Sequence, residues 1–439
     1  MTVLASRRRP EPAVAHKLSI LLSAYACEPD AGSEPGLGWQ WAVGLARLGN
    51  EVCVVTRKAN QEVIDASQER RGLPNLRFVY LGLPVLERWM RKGSRSEPLY
   101  YFLWQLRLFF VARRLVRKTR FDIAHHVTFA TARFPSLLGL LGVPFIFGPV
   151  AGGDYSPSSL WRGLGPGVFL HESLRRISNL WVRYSPLMNL TFLTARRIFV
   201  TSEQTEALLP SYAKARSSVL LGITGNRYTE SLSQLPLRQR GAGEPFRVFF
   251  AGRFISLKGM HFGLRAFARL HAEVTRAQLT MIGSGPMLRQ WRELAEKLGI
   301  GGNVSWRGSM PREEFMRALS EFDVLLFPSL HDSGGMVVIE AMAAGIPVVC
   351  LDIGGPGILV DETCGFAIAP TSPAEVETGL FEAQATLARN ETFRTTLGKN
   401  ARSRLLTEFG WDRTLALMQQ AYLESTEKPC NSMAGRRAL

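Results

Sequence analysis

Short, strongly apolar runs alternate with longer segments of helical period along nearly all of this chain, and the alternation breaks once, at 231–245. That rhythm admits little besides parallel sheets covered by helices on both faces. Before the break the predicted strands are KLSILLSAYA (17–26), EVCVVT (51–56), LRFVYLGL (76–83), FDIAHHV (121–127), VPFIFGPV (143–150) and RIFVTS (197–202). After it come FRVFFAGR (246–253), AQLTMIG (277–283), NVSWRG (303–308), DVLLFPS (323–329), IPVVCLD (346–352) and GFAIAP (365–370). Runs such as DVLLF and IPVVC carry no polar alternation, as expected of strands buried on both sides. A helix is predicted at 36–49, ended by Gly49, and another follows Lys258 with Met260, Leu264 and Phe267 on one stripe. Further helices are expected at 286–298, 311–322 and 336–344. Ser372-Pro-Ala-Glu375 is a capping box that starts one more, and helices then run to about Ser425. The polar, Gly- and Pro-containing break SLSQLPLRQRGAGEP reads as a linker. The expectation is α/β: two doubly wound domains, 1–235 and 246–409, facing a cleft, with 410–426 returning to the first. A chain of 439 residues suits two such domains.

Composition narrows the class. With 46% hydrophobic and 21% charged residues the chain is neither disordered nor a multi-span membrane protein. Its five Cys are scattered without metal-ligand or disulfide-framework spacing, which points to a reducing compartment. The net charge of +16 is uneven: residues 1–230 carry 30 Lys and Arg against 16 Asp and Glu. Such a half faces something anionic: nucleic acid, a phosphorylated ligand or lipid headgroups. Arg7–Arg9 ahead of LSILLSAYAC imitate a secretion signal. The run is short, contains Ser, and leads straight into a Gly-rich loop, so a first strand and a cytoplasmic location are expected. No apolar run reaches the ~20 residues that span a bilayer.

The segment FPSLHDSGGMVVIEAMAAGIPVV (327–349) carries the strongest chemical signal. A buried strand ends in a loop with Asp332, Ser333 and the Gly334–Gly335 pair, and a helix from Met336 holds Glu340. Ligands bind at the carboxyl ends of parallel strands, and a helix N-terminus attracts anions. Asp332 and Glu340 are then two acidic groups at one rim, eight residues apart; equally, Asp332 caps the helix and Glu340 satisfies a loop.

This segment resembles the Glu-x7-Glu region of family 4 retaining, nucleotide-sugar-dependent glycosyltransferases, which have the GT-B fold. AGRFISLKGM (251–260) is similar to that family's G-R-x4-K-G element, and the resemblance covers about 246 to 370. It implies that Gly252, Arg253 and Lys258 bind the donor diphosphate, where two fixed cations would stabilise a departing anion. Glu340 would accept the ribose hydroxyls, while the backbone of Ser333, Gly334, Gly335 and Met336 would hold phosphate or sugar oxygens. Asp332 stands where the family has its first Glu, one methylene shorter. Gly283, in IGSGPML (282–288), would line the nucleotide pocket or serve as a plain turn. GGPG (354–357) is similar to a loop near the donor phosphates but lacks the acidic residue that often follows it.

In the first half, CEPDAGSEPGLGW (27–39) reads as a long Gly-rich loop. By the resemblance Gly36 and Gly38 approach the donor and Glu34 touches the acceptor. A His at the end of the strand from Phe121 would contact the donor sugar. Adjacent strand residues point opposite ways, so at most one of His125 and His126 faces the cleft, and His126 is preferred. Gly152 and Gly153, in GPVAGG, would border the acceptor. The chain contains no Asp-x-Asp tripeptide and no metal-spaced His/Cys cluster, so neither metal nor cofactor is implied.

From Arg88 to Arg120 there are ten Lys and Arg and one acid, Glu97, around the aromatic run LYYFLWQLRLFFVARRLVRK (99–118). This reads as a helix lying on an anionic membrane, competing with an ordinary domain helix; no nucleic-acid motif accompanies it. Taken together, the expectation is a retaining, metal-independent glycosyltransferase acting on a lipid-linked or surface-polysaccharide glycan, peripheral to the inner face of the cytoplasmic membrane. A GT-B epimerase or phosphorylase, or a non-catalytic nucleotide-sugar-binding or membrane-docking protein, are the alternatives.

Overall fold

The computed structural model describes residues 17–84, 97–161, 166–222, 227–241 and 243–427. Arg7–Arg9, residues 88–96 of the basic stretch, Cys430 and the chain after Glu427 lie outside them.

Seven strands form the first sheet: β1 (Ser19–Ala24), β2 (Glu51–Arg57), β3 (Leu76–Leu81), β4 (Ile123–Thr128), β5 (Phe145–Val150), β6 (Ala195–Val200) and β7 (Ser217–Val219). All pair in parallel, in the order β3-β2-β1-β4-β5-β6-β7. Six form the second: β8 (Arg247–Ala251), β9 (Gln278–Ile282), β10 (Val304–Trp306), β11 (Val324–Phe327), β12 (Val348–Leu351) and β13 (Gly365–Ile368), ordered β10-β9-β8-β11-β12-β13. The apolar continuity seen in the sequence has its cause here, since β4, β5, β11 and β12 are buried along their whole length. The apolar run after Leu18 is β1, a central strand with neighbours on both edges. β7 went unpredicted because it is three residues of Ser-Ser-Val at a sheet edge, with no buried residue.

Each sheet reverses its winding once, between β1 and β4 and between β8 and β11. Such switch points leave a crevice at the carboxyl ends of the two strands. In the second domain the helix Met260–Glu273 buries Met260, Leu264 and Phe267 completely, and Ser372 caps Pro373–Arg389 by accepting from the Glu375 amide. The polar break is helical at its start (Arg227–Ser233) and then tied down, with Arg238 bridging Glu244 (2.7 Å) and Asp323 (3.3 Å). The helix Glu391–Glu408 packs into the second core through Leu397, Ala401 and Leu405. The next helix, Trp411–Thr426, crosses back and places Leu415, Met418 and Tyr422 in the first core.

The basic stretch forms the helix Glu97–Lys118, and here the expected membrane-facing apolar surface is not found. Tyr101, Trp104, Leu108 and Ala112 are buried in the first domain's core, and Trp104 Nε1 donates to the Leu81 carbonyl at 3.0 Å. Phe110 remains exposed near Arg113 and Arg114, and Leu99 near the start of the helix. A sheet layer needs its helix, and the aromatics serve that packing. Among the described residues no helix is long and apolar enough to cross a membrane.

Candidate functional site

The second sheet's crevice is built by glycines whose backbones must touch. Gly252 and Gly283 end the paired strands β8 and β9 with φ of 151° and 133°, and a Cβ on Gly283 would lie 2.0 Å from the Gly252 carbonyl oxygen. Their closeness turns the β8 exit outward and leaves Arg253 exposed, with no ion pair or side-chain hydrogen bond among the described residues. Five residues on, Lys258 Nζ contacts Asp332 Oδ2 at 2.5 Å and lies 4.9 Å from the centre of the Phe327 ring. The other Asp332 oxygen, Oδ1, accepts from the amides of Gly334 (3.2 Å) and Gly335 (2.7 Å), and its backbone carbonyl accepts from Gly355. Asp332 therefore organises the loop as well as pairing Lys258; burial acts against its charge, but Lys258 and the two amides win and hold its carboxyl below the usual range.

Gly335, at φ 62°, opens the helix Met336–Ala344 without a side-chain cap, so its first amides point into the crevice. About one helical turn on, Glu340 is buried and its Oε1 lies 2.8 Å from Arg312 Nη2. Burial pushes the Glu340 carboxyl up to about 7, with Arg312 opposing. The 354–357 segment forms the start of a helix, Gly354–Leu359, packed against the 332–335 loop.

On the opposite side, the 27–39 segment is loop only as far as Gly32; the helix Ser33–Arg47 begins earlier than the sequence suggested. Gly36 and Gly38 lie inside it, buried, where a Cβ would come within 2.0 Å of the Ala31 and Ala26 carbonyl oxygens. Close packing of this helix on the β1 exit accounts for both glycines. Its uncapped N-terminus at Gly32 faces the second domain, where a Cβ would stand 3.4 Å from Arg312 Nη1. Glu34 accepts from the Ala130 amide beyond β4. Gly152 and Gly153 follow β5; Gly153 is wedged against the Thr205 backbone, and its amide donates to Thr205 Oγ1 at 3.1 Å.

Neither histidine opens to the cleft, where at most one is expected to face it; this corrects the preference for His126. His125 and His126 are wholly buried on β4. His125 Nε2 contacts the Gly148 carbonyl at 2.5 Å and Nδ1 contacts Tyr422 Oη at 2.6 Å, so both nitrogens are used. His126 points to the other face, beside Phe147, with Nε2 3.4 Å from Tyr101 Oη and from the Phe129 carbonyl. Burial lowers their pKa values to about 3 and about 4, which keeps both neutral.

The two halves meet where Arg175 Nη1 donates to His331 Nε2 at 2.9 Å, next to Asp332. Asp154 lies close by, buried, with Oδ1 accepting from Ser202 Oγ at 2.6 Å and Oδ2 unpartnered. Among the described residues no group of three or more His, Cys, Asp or Glu side chains is placed to hold a metal ion.

Two family models cover these two halves. "Glycosyl transferases group 1" matches residues 237–404, and "Glycosyl transferase 4-like domain" matches residues 38–218. The chain belongs to the group 1 glycosyltransferases. The D-inositol 3-phosphate glycosyltransferase of Corynebacterium jeikeium is 28% identical over 239 residues, 51% of this chain and 56% of that protein. A glycogen synthase of Mycobacterium tuberculosis is 28% identical over 180 residues, 41% of this chain and 42% of that protein. The chain thus spans about half the length of the curated relatives it matches. Sucrose-phosphate synthase from Thermosynechococcus elongatus shares the fold, with a TM-score of 0.62 at 22% identity over 93% of this chain and 99% of that one. Anabaena HepE, solved with UDP-glucose, does so with a TM-score of 0.56 at 16% identity over 93% and 100%. The architecture is GT-B, two Rossmann-like domains.

Three residues of this crevice carry no motif: Arg312, Asp154 and Arg175. The PVAGG-Asp154 context hints at one of them, since an acid directly after a strand-ending glycine pair sits at a carboxyl end. Arg312 and Arg175 are isolated in sequence from what they touch.

Proposed function

We propose that this chain transfers a sugar from a nucleoside-diphosphate sugar to an acceptor hydroxyl, with retention at the anomeric carbon. The observation that carries the proposal is the free, exposed guanidinium of Arg253 at the carboxyl end of β8, five residues before Lys258, which pairs with Asp332 after β11. Leaving of the nucleoside diphosphate concentrates negative charge on its terminal phosphate. Arg253 meets that charge unpaired, and Lys258 turns from Asp332 towards it as it develops. The uncapped amides at the start of Met336–Ala344 add their partial positive charge. Glu340, held by Arg312, accepts the ribose hydroxyls, and Asp332 accepts a sugar hydroxyl as its cation is shared with the phosphate. With both β4 histidines enclosed, the acceptor proton passes to the departing phosphate on the same face of the sugar.

The family resemblance and the basic first half favour a lipid-linked or surface-polysaccharide acceptor reached from the cytoplasmic face of a membrane. The test is release of nucleoside diphosphate from a panel of nucleotide sugars, with and without glycan and lipid-linked acceptors, followed by the anomeric configuration of the product. Turnover by wild type and its loss in Arg253→Ala support the proposal. Tight nucleotide binding with no sugar transferred to any acceptor would overturn it in favour of a non-catalytic binder.

A further inference from the structure

The helix Pro166–Tyr184 turns one face into the first domain and leaves the other to solvent. Inward lie Glu172, Val182 and Asn179, all buried, with Arg175 reaching His331. Outward stand Leu170, Leu174, Ile177, Trp181 and Tyr184, spaced i, i+4, i+7, i+11 and i+14, a single stripe on a helix. Each is more than half exposed, with Tyr184 at 72%. A soluble surface rarely leaves so many large apolar side chains contiguous.

We infer that this stripe seats the protein on an anionic bilayer. Charge selects that occupant. The helix's acid, Glu172, is buried against Arg175, whereas Arg176 and Arg183 are exposed and make no ion pair among the described residues. Val182 and Met188 share a core with Leu108 and Ala112, so this helix and Glu97–Lys118 cover the same side of the sheet. The exposed Arg113, Arg114, Arg117 and Lys118 add further positive charge to the same domain. Trp181 and Tyr184 at its carboxyl end are amphipathic rings suited to the headgroup level. A second copy docked through the same face would bring two such cationic rims together, which repel. The bilayer contact thus belongs to 166–184, with 97–118 supplying charge. This deepens the acceptor reading above but stands without it, because vesicle binding is read with no sugar substrate present.

The experiment is co-sedimentation of the full chain with phosphatidylglycerol/phosphatidylcholine vesicles and with phosphatidylcholine alone. Wild type is expected to sediment with the anionic vesicles, less so at high salt. Leu174→Ser/Ile177→Ser/Trp181→Ser should lower partitioning on the order of 100-fold, because three inserting side chains are lost. Arg176→Gln/Arg183→Gln should bind the two vesicle types more equally. Since all five positions are exposed, melting temperatures should stay near wild type, and Leu170→Ser/Leu174→Ser provides a second, milder variant. Wild type left in the supernatant, or serine variants that sediment like wild type, would overturn the inference. So would a wild-type dimer that the triple variant converts to monomer with vesicle binding unchanged.

Discussion

Lys258 Nζ lies 2.5 Å from Asp332 Oδ2, whereas Arg253, at the neighbouring strand exit, has no counter-charge among the described residues. One cation of the crevice is thus stored in an ion pair that also holds a loop in shape, and the other is free. This asymmetry assigns different consequences to substitutions that look alike on paper.

Arg253→Ala should leave the fold intact and cut kcat/KM for sugar transfer about 100–1000-fold, the typical loss of one charge-stabilising contact. An exposed residue with no side-chain partner contributes within about 0.5 kcal/mol to stability. Parallel kinetics and urea denaturation check both halves; a variant within a few-fold of wild type in turnover would refute the role.

Asp332→Asn keeps an oxygen for the Gly334 and Gly335 amides while releasing Lys258. Nucleoside diphosphate should bind at least as tightly as to wild type, and kcat should fall about 100-fold because the sugar loses its carboxylate. Calorimetry beside turnover separates the two effects, and a weaker diphosphate affinity would contradict the stored-cation account.

Glu340 titrates near 7, raised from 4.5 by burial. Ribose hydroxyls donate to the carboxylate, so nucleotide affinity should fall as pH drops through about 7, by up to tenfold per unit below it. In the absence of ligand the sign reverses. A carboxyl whose folded pKa is raised favours the fold when protonated, and this contribution declines as pH rises from about 4.5 to 7. Glu340→Gln should flatten both dependences, which removes any ambiguity from the nucleotide's own phosphate titration. An unchanged pH profile of binding in the variant would place the ribose elsewhere.

Tyr422→Phe should destabilise the protein by about 1–3 kcal/mol, because it orphans the buried Nδ1 of His125. Nucleotide affinity, read in the other domain, should not change. His125 has its folded pKa lowered to about 3, so its contribution is full above about 6.5 and is lost as pH falls below that. Acid unfolding followed by circular dichroism should therefore begin below about pH 6.5 and begin earlier in the variant.

The second domain was nearly transparent in the sequence, and the reason is physical. Its strands are buried on both faces, so apolar continuity and strand coincide, and Asp332, Glu340, Arg253 and Lys258 lie near the strand and helix ends that position them. The first domain hid more. In β4 two histidines alternate between two buried faces, and local pattern cannot tell a buried face from a cleft. The 97–118 helix showed charge and aromatics together, but burial of Trp104 and Tyr101 depends on Leu81 and Phe129, contacts from elsewhere in the chain. Arg175–His331 and Arg312–Glu340 are pairings between separate elements and leave no local trace.

The helix Trp411–Thr426 has one further implication. Because it returns to the first sheet, the polypeptide passes between the two halves once after β7 and again near Gly410, and Thr229 and Glu230 from the first passage share a cavity with Gly410 and Trp411 from the second. Because both crossings border one cavity, the halves are tied together at a single place, and the contacts of Arg312 with the Gly32 helix end and of Arg175 with His331 are made by side chains rather than by a further covalent link.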